Sequence, residues 1–159
     1  MNSIYFRNAC ILSLRDRKGF SFNFSPKINI ITGENDTGKS SFIKSLYYTL
    51  GADIRLDKKW KDDNFISKVV IRVKNQDYAF IRYNKQISIF DVSAGINQHI
   101  ITSNSRTDIA VAVKDIFDFN LELALKKTLV QTQAQPASLY MPFYIDQDDG
   151  WAKVLGSFS

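Results

Sequence analysis

The chain has 159 residues, 45% of them hydrophobic, and a formal net charge of +5. That length holds one domain with a proper core, and the composition excludes a disordered chain. No apolar run approaches the ~18 residues of a membrane span, and the N-terminus lacks the basic, apolar and small-residue regions of a signal peptide, so a cytoplasmic protein without a membrane partner is expected.

The predicted elements begin with a hairpin: Ile4 to Leu14 reads as a strand, Asp16 to Gly19 as a turn, and Phe20 to Phe24 (FSFNF) as a second strand with aromatics at alternate positions. Cys10 lies in the first strand. As the lone cysteine it can form no internal disulfide and reads as a small apolar strand residue. Lys27 to Thr32 (KINIIT) is an isoleucine-rich run of the kind a buried strand needs, and Ser41 to Leu50 carries apolar residues at helical spacing. Gly51 is a natural helix stop, followed by a charge-mixed loop from Ala52 to Asn64 that contains Trp60. The period then changes to two. Lys68 to Val73, Tyr78 to Tyr83 and Ile87 to Val92 form an antiparallel meander, extended by Gln98 to Thr102, where His99 reads as an ordinary surface residue. Arg106 to Phe117 is helical, capped by Ser105 or Thr107, and Leu121 to Leu129 prolongs it after a break. From Gln131 the tail is irregular, with Pro136, Pro142 and the acidic turn DQDDGW from Asp146 to Trp151.

Between the expected strand and helix, Gly33 to Ser40 reads GENDTGKS and matches the phosphate-loop pattern G-x-x-x-x-G-K-[ST]. The two glycines let the backbone wrap close to phosphate oxygens with its amides turned inward, and the helix adds the positive end of its dipole. Lys39 is then expected to reach the β- and γ-phosphates of ATP, and the Ser40 hydroxyl to ligate Mg²⁺. Glu34, Asn35, Asp36, Thr37 and the adjoining Ser41 complete the candidate nucleotide site. Asp36 stands where glycine is common in such loops, and Asp tolerates left-handed backbone well.

The hairpin, the stretch FNFSPKINIITGENDTGKSSFIKSL, the helix ending at Leu50-Gly51, the meander and a late glutamine together resemble the N-terminal lobe of SMC, SbcC, RecF and RecN ATPase heads. The resemblance implies an α/β fold of the P-loop NTPase class, ABC/SMC-head type, an SbcC-type AAA ATP-binding domain with the antiparallel meander beside the phosphate-loop strand and helix. It also implies that Gln147 touches the Mg²⁺ and the attacking water; a solvated glutamine in an acidic turn is the alternative, since Gln131, Gln133 and Gln135 lie close by. The segment beyond the helix carries a DNA-facing arginine in that family. Arg55 is similarly placed, with Lys58 and Lys59 behind it, but Asp53, Asp57, Asp62 and Asp63 neutralise the segment and leave a plain solvated loop open.

Such heads are completed by a second lobe with an LSGGQ-like signature, an apolar run ending in Asp-Glu and a histidine switch, and none of these occurs here. The whole chain, 1–159, is accordingly expected to be one partial head lobe, a truncated product or a partner to a second chain, whose ATPase activity needs the complementary lobe and a second head. DNA is the cargo that the resemblance implies, in repair, chromosome maintenance or defence. Two alternatives stay open, a nucleotide-binding regulatory module that does not hydrolyse ATP and a transporter-type ATP-binding subunit. A small kinase fits poorly, because the helix leads into a meander and not into a lid.

Overall fold

Strict alternation of apolar residues builds the sheet. In the computed structural model, which describes residues 4–35, 37–52, 54, 64–95, 97–124 and 131–140, β3 (Phe65–Val73) buries Phe65, Ser67, Val69, Ile71 and Val73 on one face. β4 (Gln76–Tyr83) and β5 (Gln86–Asp91) follow through the two-residue turns Lys74-Asn75 and Asn84-Lys85. Lys74, Asn75 and Asn84 take positive φ there, the twist that short hairpins require. β1 (Ile4–Ser13) and β2 (Lys18–Asn23) form the expected hairpin with its turn at residues 14–17, two residues earlier than the sequence suggests. β6 (Gln98–Ser103) completes a six-stranded antiparallel sheet in the order β2-β1-β3-β4-β5-β6.

Two helices cover one face of this sheet. α1 (Lys39–Thr49) buries Phe42, Ser45, Leu46 and Thr49, and α2 (Arg106–Phe117) buries Ile109, Val113 and Ile116, in each case at the spacing that aligns one helical stripe. They share a core with Val69, Ile71, Phe80 and Ile89, of which Phe80 and Ile89 are fully buried. Each such side chain contributes about 1.5–3 kcal/mol through its removal from water. Polar groups inside this contact are satisfied: Thr49 Oγ1 lies 2.6 Å from the Ser45 carbonyl and 2.7 Å from Ser67 Oγ. Ser105 is the residue that caps α2, its Oγ accepting from the Asp108 amide at 3.3 Å.

Three expectations are corrected. Residues 28–34 make no strand pairing among the described residues, and Ile28 and Ile30 are 81% and 80% exposed. The sheet's last bond on this side is Phe24 N to Arg7 O at 2.9 Å; beyond Pro26, Asn29 folds back on Ser25, accepting from its amide at 2.7 Å and donating to its carbonyl at 2.8 Å, which steers the chain off the sheet edge. The helical continuation from Leu121 is replaced by β7 (Glu122–Ala124), because Asp118 turns left-handed and ends α2. The tail is more regular than its prolines suggest: β8 (Gln131–Gln133) pairs with β7, and α3 (Pro136–Tyr140) packs beneath α1. Residues 125–130, and residues 53 and 55–63 of the loop with Trp60, lie outside the described residues.

A bulge in β1 gives the outer face its main ion pairs. The register moves two residues along β1, from Phe6 to Asn8, for one along β3, so Arg7 is the extra residue. Its Nη1 donates to Asp77 Oδ2 at 2.7 Å, while Arg72 grips the same carboxylate with two bonds of 2.7 and 2.6 Å. The Arg72 hydrogen bonds, helped by the Arg7 charge, hold the Asp77 carboxyl below the usual carboxylate range against the opposing effect of burial. A depressed value stabilises the fold above about pH 4, the range of an unfolded Asp, and that contribution is lost on acidification. Asp77→Asn is therefore expected to lower the thermal unfolding midpoint at neutral pH, and the gap between variant and parent, followed by circular dichroism, should close as the pH falls below that range.

Candidate nucleotide site at the head of α1

The loop from Gly33 to Lys39 is shaped by its own hydrogen bonds. Thr37 Oγ1 donates to the Glu34 carbonyl at 2.8 Å and closes the turn. Lys39 Nζ folds inward, donating to Gly33 O at 2.9 Å, to Glu34 O, and to Thr37 Oγ1 at 3.4 Å. Gly38 stands at the N-cap of α1 with φ 85° and ψ 12°, a left-handed conformation that costs a side-chain-bearing residue about 1–2 kcal/mol. A Cβ there would meet nothing within 4 Å, so the dihedral angle and not space is what selects glycine. At Gly33 space matters, since a Cβ would sit 3.1 Å from Thr37 Oγ1.

Gly38 brings no side-chain cap, no acidic residue occupies the first turn, and the first bond of the helix is Phe42 N to Gly38 O at 2.8 Å. The positive end of the dipole there favours an anion. Ser40 is exposed in the first turn, and Ser41 beside it is half-buried. Glu34 and Asn35 are exposed on the rim of the loop.

Beside the loop a cavity of about 810 Å³ opens toward the β1–β2 hairpin. Ile11, Phe20, Phe22 and Phe42 form its apolar wall, while Ser13, Lys18, Thr32 and Lys39 supply polar groups. The wall follows from strand register: Phe20 and Phe22 lie on the face of β2 that meets α1, and their rings stand 5.3 and 5.8 Å from Phe42 in edge-to-face contact. The alternating aromatics of FSFNF are thus cavity residues as well as strand residues, a role that periodicity alone does not disclose.

Of the other sequence candidates, Asp36, Arg55, Lys58, Lys59 and Gln147 lie outside the described residues. Gln133, one of the alternatives to Gln147, commits its amide to the carbonyls of Phe119 and Leu121 at 3.3 and 3.1 Å. His99 is exposed on β6 with Nε2 2.9 Å from Thr102 Oγ1, an ordinary strand contact, and Cys10 is a half-buried free thiol on β1. Among the described residues no helix is long and apolar enough to cross a membrane, and no group of three His, Cys, Asp or Glu side chains is placed to hold a metal.

Gly38→Ala should cost about 1–2 kcal/mol from the forced left-handed alanine alone. Urea unfolding monitored by fluorescence reads this directly, and Gly38→Asn, which tolerates that conformation better, should recover part of the loss.

Known proteins place this geometry in a family. Residues 10–151 match the family described as AAA domain. Lamassu protein LmuB of Bacillus cereus (strain VD014) is 34% identical over 161 residues, covering 99% of this chain and 27% of that protein. An LmuB from a Bacillus sp. is 27% identical over 143 residues, covering 89% and 24%. The DNA replication and repair protein RecF of Clostridium acetobutylicum is 34% identical over 70 residues, covering 40% and 19%. The chain thus spans about a quarter of the length of the LmuB relatives it matches. Since the family match takes in hairpin, glycine loop and meander together, the chain belongs to the AAA domain family, of the SMC and RecF type.

Proposed function

We propose that this chain is the ATP-binding lobe of an SMC-like, DNA-handling ATPase. One observation carries the reading: a lysine ammonium folded into a ring of loop carbonyls at the uncapped head of a helix. That arrangement is a cation and a set of backbone dipoles gathered before an anion arrives. On binding, Lys39 exchanges the carbonyls of Gly33 and Glu34 for β- and γ-phosphate oxygens. The residues present also suit Mg²⁺, because Ser40 offers a hard hydroxyl oxygen on the exposed side of the first turn. Ser40 would hold the ion, which would supply positive charge against that of the phosphates. The apolar cavity beside the loop holds the base, with Phe20 and Phe22 as its stacking wall and Ser13 and Lys18 at its edge.

Ile28 and Ile30 support a partner for this lobe. A segment four-fifths exposed at both isoleucines, running straight into the loop and without strand pairing among the described residues, leaves apolar surface uncovered. We assign that run to contact with a complementary lobe, which, with a second head, completes the hydrolytic site. Gln147 would then be the residue of this chain that helps to hold the metal and to orient the attacking water. The DNA reading draws support from the similarity to RecF, a DNA replication and repair protein, and from the basic residues Arg55, Lys58 and Lys59 that follow α1 in sequence.

In a titration with a fluorescent ATP analogue, Lys39→Ala should abolish binding with an unchanged circular dichroism spectrum; unchanged affinity would remove the loop from this account. Ser40→Ala should weaken binding only when Mg²⁺ is present, and Phe20→Ala should weaken binding with or without it.

The chain alone should bind ATP and release phosphate far below roughly 1 per second, the lower end of ordinary turnover, since hydrolysis needs a positioned water and stabilisation of the γ-phosphate charge, which this reading divides between this lobe and a complementary one. Steady-state phosphate release at or above that rate would show the complementary lobe to be dispensable.

A further inference from the structure

Within the glycine loop one carbonyl is shared by two donors. Glu34 O accepts from Thr37 Oγ1 at 2.8 Å and from Lys39 Nζ, which fills both of its lone pairs. Thr37 has a single hydroxyl proton and commits it to that carbonyl, so its oxygen turns a lone pair toward Lys39 Nζ, 3.4 Å away. That distance is long for a hydrogen bond but leaves a charge–dipole attraction. With Gly33 O at 2.9 Å, these three oxygens surround the ammonium, and Thr37 supplies one of them and fixes a second. Room for the hydroxyl comes from Gly33, where a Cβ would sit 3.1 Å from Thr37 Oγ1. Thr37 is exposed, so its side chain serves the loop and not the core.

We propose that Thr37 is a positioning residue for Lys39, holding the Glu34 peptide so that the ammonium stays aimed at the phosphates. When Lys39 turns to phosphate oxygens, the Glu34 carbonyl loses its charged partner. Without a second donor that carbonyl could swing its negative end toward the anion; the Thr37 hydroxyl keeps it facing into the loop and keeps one lone pair satisfied. The β-branch restricts χ1, so the hydroxyl is in place beforehand and little freedom is lost on binding. Because Thr37 acts through Lys39, its effect falls on the phosphates that Lys39 reaches and grows with their number. The inference rests on the ATP-binding reading above and deepens it, giving Thr37 a part other than direct contact with the nucleotide.

The test compares the parent with Thr37→Ala and Thr37→Ser in two measurements on the purified chain. In titrations with fluorescent ATP and ADP analogues, Thr37→Ala should weaken ATP binding by about 3- to 10-fold, the range for one lost hydrogen bond, and ADP binding by less, since ADP lacks the γ-phosphate. Thr37→Ser, which restores the donor without the stiff branch, should recover most of the loss. In the nucleotide-free protein, an amine-acylating reagent should modify Lys39 faster in Thr37→Ala than in the parent, read by mass spectrometry against the exposed Lys68, and Thr37→Ser should return the rate toward that of the parent. Circular dichroism spectra should coincide throughout. Unchanged ATP affinity in Thr37→Ala, no recovery in Thr37→Ser, or an unchanged acylation rate would overturn the proposal and leave the nucleotide reading standing. An equal loss for ATP and ADP would assign Thr37 to the general stability of the loop and overturn it likewise. A parent that binds neither nucleotide would overturn the nucleotide reading and the proposal together.

Discussion

The fold depends on holding α1 in place by its C-terminal end while its other end carries no side-chain cap. An isolated helix of 11 residues is marginal in water, and this one has no acidic residue in its first turn and no basic residue in its last. Its stability comes from the sheet. Phe42, Leu46 and Leu50 bury a continuous stripe, and Arg82 of β4 brings to the negative end of the dipole the cation that the helix itself lacks. The guanidinium lies 3.6 Å from the centre of the Tyr48 ring, adding a cation–π contact. Tyr140 fastens the same end, its hydroxyl donating to Leu50 O at 3.3 Å, and burial pushes its ionisation well above the usual phenol range. Gly51 permits this close approach: its φ of 98° suits glycine, and a Cβ would press within 3.3 Å of Pro136 and Ile109. With the C-terminal end fixed by protein, the N-terminal end stays open for a ligand.

The hairpin is joined to the helix by rings. Phe20, Phe22 and Phe24 all contact Phe42, and Phe6 reaches both Phe24 and Tyr47. Aromatic pairs of this geometry contribute about 0.5–1.5 kcal/mol each beyond their buried area. The same contacts set the distance between hairpin and loop and so create the cavity. Packing and ligand site are therefore one structure: changing Phe42 would alter the core and the cavity wall together.

Much of this was legible in the sequence because it is local. The glycine loop, the meander, and the helix from Arg106 to Phe117 rest on spacing, capping residues and backbone preferences that a short window contains. The exact turn lengths and the choice of Ser105 over Thr107 as the cap came only with the structure. Family membership was legible for the same reason, since the order of these local elements is itself the signature.

What the sequence by itself determined was each segment's inclination: apolar alternation for strands, a three-to-four-residue stripe for helices, and glycine where the loop turns left-handed. Tertiary structure alone decided which inclinations were realised. KINIIT has strand composition, yet a strand exists only where a second backbone supplies hydrogen bonds, and the Ser25–Asn29 turn carries the run away from the sheet edge. Glu122 to Ala124 joins β8 in place of a helix because Gln131 to Gln133 lies opposite it. Arg82 caps α1 from 34 residues away in the chain, and the phenylalanines of β2 become a cavity wall only once Phe42 is packed against them. Each of these outcomes requires two segments distant in sequence to meet, and no local pattern encodes that meeting.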